Sequence, residues 1–219
     1  MKIGLLLSFL CFTVAMASRD VLSSGQKITS WEKPAFCRDL DCPPFSTLKT
    51  LGSDGGVELR KYSPGQWVST DISGVSYKEA MRKGFMTLFG YISGANADGR
   101  KIEMTAPVKT KLKPGPGPLC QEFTVSFFLP YEYQDGGAPE PSEKGVYLES
   151  TPSFEVYVRS YGGFSSEESI IEEAGRVISE LDKAGEKYET STWFAAGYDA
   201  PFRLTDRHNE IWIPKVASF

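Results

Sequence analysis

The chain carries its own repeat. Residues 57–68 align without a gap on residues 146–157, an offset of 89, and the same offset brings Gly74 onto Gly163 and Ser76 onto Ser165. Each serine opens an S-x-x-E tetrapeptide, Ser76 to Glu79 and Ser165 to Glu168. That is a capping box, in which hydroxyl and carboxylate satisfy free backbone N–H groups at a helix start. The helices that should follow share their spacing as well. Met81, Phe85, Leu88, Phe89 and Ile92 fall on Ile170, Ala174, Val177, Ile178 and Leu181. Apolar residues three and four apart lie on one helical face.

Short runs rich in β-branched and aromatic residues precede each helix, such as 67–72 and 154–161, and read as strands. Two further apolar runs follow each helix, 102–110 and 123–129 in the first half, 192–197 and 210–213 in the second. Each half, about 55–132 and 145–217, therefore reads strand–strand–helix–strand–strand. A lone strand pair is barely stable and an amphipathic helix must bury its apolar face. The expectation is one α+β domain over 46–217, a pseudo-twofold duplicated half-barrel. Its eight-stranded, barrel-like sheet would be flanked by two helices. Residues 113–118 and 133–144, rich in Pro and Gly, read as loops, and 18–45 as an arm lying over the domain.

At 219 residues, 41% hydrophobic and 24% charged, the chain can bury a sizeable core without a metal. Its net charge of −4 is spread along the sequence, which argues against nucleic acid as a partner. Lys2, the apolar run 3–15 and the small-x-small site Ala15-Met16-Ala17 have the layout of a secretory signal peptide over 1–17. The run is too short for a bilayer span, which needs about 20 residues. No later segment is long and apolar enough to be a transmembrane helix. A secreted, extracellular, monomeric protein is expected. Cys37, Cys42 and Cys120 remain after Cys11 leaves with the leader. An oxidising compartment implies one disulfide among them, either Cys37–Cys42 or Cys42–Cys120.

Several stretches resemble the SOUL heme-binding family. They include Arg60-Lys-Tyr62, Tyr91 through Asn96, Lys101-Ile-Glu-Met-Thr-Ala-Pro-Val108, Ala196-Gly-Tyr-Asp-Ala-Pro-Phe202 and Asn209-Glu-Ile-Trp212. The resemblance runs from about Phe45 to Lys215. It implies a distorted barrel of two repeated halves that binds heme or a related porphyrin in an apolar groove beside the first helix. Carried onto this chain, the groove would include Arg82, Phe85 and Phe89, with Met86 and Met104 as soft neighbours. Aromatic and aliphatic side chains can cover a porphyrin face while a guanidinium holds a carboxylate at its edge. Some members carry a histidine, suggested as an iron ligand, where this chain has Lys61, and others a lysine at the position of Gly90. The sole histidine, His208, falls in a polar turn and reads as solvated. Binding of modest affinity without a strong axial histidine is therefore expected.

Read from pattern alone, Phe85 and Phe89 are core positions of the first helix. Catalysis is not expected. One imidazole excludes the usual nucleophilic triads, and the sequence holds no Walker loop, HExxH, or GxGxxG after a strand. Glu58, Glu103 and Glu155, in or beside strands, are the remaining candidate acids. The rival reading is a binding module for another hydrophobic small molecule or for a protein partner docked on the second helix.

Overall fold

The computed structural model describes residues 31–52, 56–113 and 122–216. The proposed leader and Cys120 lie outside them. Nine strands and two helices follow in the order β1 (Phe45–Leu51), β2 (Val57–Tyr62), β3 (Gly65–Ser73), α1 (Tyr77–Ile92), β4 (Val108–Leu112), β5 (Glu122–Phe128), β6 (Val146–Thr151), β7 (Phe154–Tyr161), α2 (Glu167–Ala184), β8 (Trp193–Gly197) and β9 (Asn209–Pro214). All nine strands form one antiparallel curled sheet in the order β1-β2-β7-β9-β8-β4-β5-β3-β6.

Without β1, exchanging each strand for its counterpart in the other half reverses this order and leaves it unchanged. β2 leaves its own half to pair with β7, and β6 does the converse by pairing with β3. The two halves meet at β4 and β8, in the middle of the sheet.

The ninth strand corrects the expected eight. Residues 45–51 space their apolar side chains, Phe45, Leu48 and Leu51, by three rather than two, which hides the strand signal. The structure accounts for this with a register shift between Thr47 and Lys49 where β1 pairs with β2. A bulge of that kind adds one unpaired residue, here Leu48, which points outward. The run 102–110 is strand only from Val108. Before it, the Ile102 N–H donates to the Ile92 carbonyl and the Ala106 N–H to that of Asp41, so the helix end and the arm take up this backbone. Ser76 caps α1 by accepting the Glu79 N–H, but the Glu79 carboxylate pairs with Lys83 instead of completing the expected box. The α2 cap is Ser166, not Ser165, because the Ser165 hydroxyl is held by the Tyr161 hydroxyl at 2.8 Å.

Successive residues of a strand face opposite sides of a sheet. One side receives both helices. From α2 it buries Ile170, Ala174, Val177 and Leu181, and from α1 Ala80, Gly84, Leu88 and Tyr91. Full burial of each large aliphatic chain stabilises by about 1.5–3 kcal/mol. The buried stripe of α1 is thus the expected one only in part: Leu88 and Ile92 are buried as expected, and Ala80, Gly84 and Tyr91 take the other places. Met81 and Phe85 are half-buried at its edge and Phe89 is exposed. Gly84 explains the rotation, since a β-carbon there would stand 2.5 Å from Val125 Cγ2 on β5. The helix lies against the sheet along its glycine.

The other side of the sheet carries Tyr62, Val156, Val158 and Trp212, and residues 31–44 lie across it. Cys37 and Cys42, both buried, form a disulfide within this arm. No described helix is long and apolar enough to cross a membrane.

Candidate functional site: a groove between the two helices

Above the junction of the halves, the N-terminal parts of α1 and α2 stand apart and leave a groove of about 900 Å³. Its floor is formed by Val108 and Thr110 of β4, Ala195 and Gly197 of β8, and Asn209. The small residues of β8 keep that floor low. Along α1 the wall consists of Tyr77, Met81 and Phe85, with Lys78, Arg82 and Met86 at the lip. Opposite stand Phe164 and the start of α2 with its cap, Ser165 to Glu168, and Asp199, Pro201 and Arg207 border the groove as well.

Two features make this frame rigid. The Thr110 hydroxyl donates to Met81 Sδ at 2.7 Å, tying the α1 wall to the floor. At the border of the groove, Asp199 is paired with Arg38 Nε at 2.9 Å and accepts the His208 backbone N–H at 2.6 Å. Burial alone would raise the Asp199 carboxyl pKa, but these bonds and the charges of Arg38 and Arg203 hold it below its ordinary value. Arg207 is fixed by its guanidinium bonds to the Ala200 and Arg203 carbonyls, 2.7 and 2.8 Å, and lies over the Phe164 ring at 4.5 Å.

Of the residues singled out in sequence, Arg82, Phe85 and Met86 line the groove. Phe89, 43% exposed, stacks on Phe85 at 5.9 Å beyond the lining, and Met104 packs against the core beneath α1. Tyr77, Met81, Phe164 and Arg207 escaped the sequence reading. Met81 already belongs to the apolar stripe of the first helix, one turn before Phe85, and its place there could have marked it. Phe164 and Arg207 arrive from loops that carry no periodic signal.

His208 is not a solvated turn residue. Its Nε2 meets the buried Glu210 carboxylate at 2.8 Å, and its ring stacks in parallel on Phe36 of the arm at 4.0 Å. This is the side of the sheet opposite the groove. Lys61 and Gly90 are also absent from the groove lining. Glu58 and Glu155 are engaged with Arg60 and Lys215, at 2.6 and 2.9 Å. Glu103 is exposed, and none of the three acids lines the groove.

The fold is a curled antiparallel sheet with two helices on one face and a groove of small-molecule size between them. The profile of the SOUL heme-binding protein family matches residues 40–214, and the chain belongs to that family. It is 35% identical over 201 residues to heme-binding protein 2 of Mus musculus, covering 91% of this chain and 90% of the relative. To heme-binding protein 2 of Homo sapiens it is 37% identical over 181 residues, 82% and 88% of the two chains. Heme-binding protein 1 of Mus musculus is 29% identical over 175 residues, 79% and 92%. Among solved structures, the C-terminal domain of EcmrR superposes with a TM-score of 0.54 at 12% identity, over 72% of this chain and 95% of that one. That likeness is one of fold alone.

Proposed function

We propose that this chain binds heme or a closely related porphyrin in the groove between α1 and α2, as a non-enzymatic, secreted, monomeric carrier or scavenger. The groove itself carries the reading, in a chain whose relatives are named heme-binding proteins. Its volume of about 900 Å³ lies within the range of small-molecule sites. The residues fit a tetrapyrrole. Phe85 and Met81 offer an aromatic ring and a thioether to a flat apolar face, and Arg82 with Lys78 stands where propionates would leave the groove. When bound, heme supplies its own iron chemistry, and this chain contributes the enclosure. With the one imidazole on the far side of the sheet, apolar contact dominates the binding. Secretion is supported by the apolar leader and by the disulfide, which suits an oxidising compartment.

The test is a titration of the chain from Ser18 onward with hemin, followed by the Soret band, and repeated with Phe85→Ala and Arg82→Ala. A saturable one-to-one shift weakened by both substitutions is expected. Non-saturable binding indifferent to both would exclude heme and leave the groove to another hydrophobic ligand.

A further inference from the structure

Besides Arg207 Nε, the groove lining holds a buried polar group with no hydrogen-bond partner among the described residues. Tyr77, the first residue of α1, is 8% exposed, and its ring meets Phe123 edge-on at 6.0 Å within the core beneath both helices. It also lines the groove. Buried phenols ordinarily find a hydrogen-bond partner. Among the described residues the Tyr77 hydroxyl has none, although the neighbouring Tyr161 hydroxyl is held by Ser165 at 2.8 Å. Nor is it sealed in. Arg207 Nε is the only fully enclosed polar side-chain atom left unpaired among the described residues, so the Tyr77 hydroxyl keeps some exposure, and Glu167, whose charge acts on it, lines the groove with it.

The surroundings specify what it could meet. Burial, then Tyr161 and Glu167, push the Tyr77 pKa up, so the group stays protonated and can donate a hydrogen bond. Glu167 and Glu168 stand on the facing wall, which disfavours an anion beside the phenol, whereas Lys78 and Arg82 at the outer lip favour one there. The groove is therefore graded, with a site for charge at its lip and, beside the engaged Thr110 and Asn209, a neutral donor without a protein partner among the described residues.

Resting on the groove reading above, we infer that Tyr77 is a specificity-determining residue. It selects flat apolar ligands that carry an uncharged carbonyl oxygen on the edge entering the groove, and its hydroxyl donates to that oxygen. A hydrocarbon-edged ligand, heme held with its propionates at the lip included, would leave the phenol unpaired and bind less tightly than one that carries the carbonyl.

Two metal-free porphyrins test this, the dimethyl ester of mesoporphyrin IX and etioporphyrin. Both are flat and uncharged, and the ester adds carbonyl oxygens. Each is titrated by porphyrin fluorescence into the chain from Ser18 onward and into its Tyr77→Phe variant, whose retained ring keeps the contact with Phe123. The wild type is expected to bind the ester about tenfold more tightly than etioporphyrin. In Tyr77→Phe that preference should vanish through loss of ester affinity alone. Equal affinities in the wild type, a reading that needs no variant, would overturn the inference and leave the groove standing. A preference that survives in Tyr77→Phe would do the same. If neither porphyrin binds the wild type saturably, the tetrapyrrole reading and this inference fall together.

Discussion

Arg60 Nη1 and Glu210 Oε1 meet at 2.8 Å inside the protein, on the two strands that flank β7. The carboxylate is fully buried and fully occupied. Tyr198 and Trp212 donate to its second oxygen at 2.8 and 2.7 Å, and His208 reaches the first. Phe45 lies over the Arg60 guanidinium at 4.3 Å, and Phe36 of the arm at 5.9 Å. The arm, the first strand and the last thus converge on one ion pair behind the groove floor.

Removing one partner of such a pair leaves the other charge buried and alone. Glu210→Gln should therefore destabilise the protein by about 3–5 kcal/mol, read as a lower urea midpoint with an unchanged slope. A variant within 1 kcal/mol of the wild type would show that the pair contributes far less than its geometry implies.

The same carboxylate sets the response to acid. Burial by itself would raise its pKa, but the Arg60 charge and the bonds from His208 and Trp212 bring it from 4.5 down to about 2. A group whose pKa is lower when folded contributes stability above its unfolded pKa and loses it as pH falls. Wild-type stability should decline between pH 4.5 and 2, and the decline should be shallower in Glu210→Gln. Parallel curves for the two proteins would assign acid unfolding to other carboxylates.

His208→Ala separates the two sides of the sheet. The ring lies against Phe36 and Glu210, away from the groove, so its loss should lower the thermal midpoint while leaving the hemin titration and its Soret position unaltered. Disappearance of the Soret shift in a folded variant would place the iron next to His208 and contradict the proposed groove.

Much of this architecture is legible in the sequence, because the sequence repeat gives every element except β1 two chances to be seen. The order of strands and helices, the Ser76 cap and the apolar stripe of α2 follow from residue spacing. The face that α1 presents does so only in part, at Leu88 and Ile92. Periodicity ranks Phe85 and Phe89 above a glycine, yet Gly84 decides the packing, and a residue without a side chain leaves no hydrophobic signal. The site was half visible for the same reason. Arg82, Phe85 and Met86 share one helix and stand out by their spacing. Tyr77 sits just after a cap, and Phe164 and Arg207 come from loops in the other half, brought near only by the strand exchange that sequence spacing does not encode.

Gly84 provides a direct test of how α1 is held. In Gly84→Ala the new methyl would press on Val125, and overpacking of this kind costs about 1–3 kcal/mol. Val125→Ala opens the space that the methyl needs, so the double variant should recover part of the loss in a double-mutant cycle. Strict additivity of the two changes would mean that helix and strand move apart freely and that the groove wall is not set by this contact.

Lys109 points away from the groove, between Trp67 and Phe194, with Nζ 3.8 and 5.4 Å from the ring centroids. It is buried, and burial, aided by Lys111 and opposed by Glu149, lowers its pKa from 10.5 to about 8. Between those values the unfolded chain holds a proton that the folded one has released, so raising the pH through this window stabilises the fold. Below pH 8 the charged amine instead weighs against folding, offset in part by its contact with Trp67. Lys109→Met removes both effects. It should be more stable than the wild type by about 1–2 kcal/mol at pH 7, with the gap closing as the pH approaches 10. Urea midpoints of both proteins at the two pH values decide the matter. A gap of constant size would mean that Lys109 titrates near its ordinary value and that the Trp67 face stabilises the ammonium enough to cancel the cost of its burial.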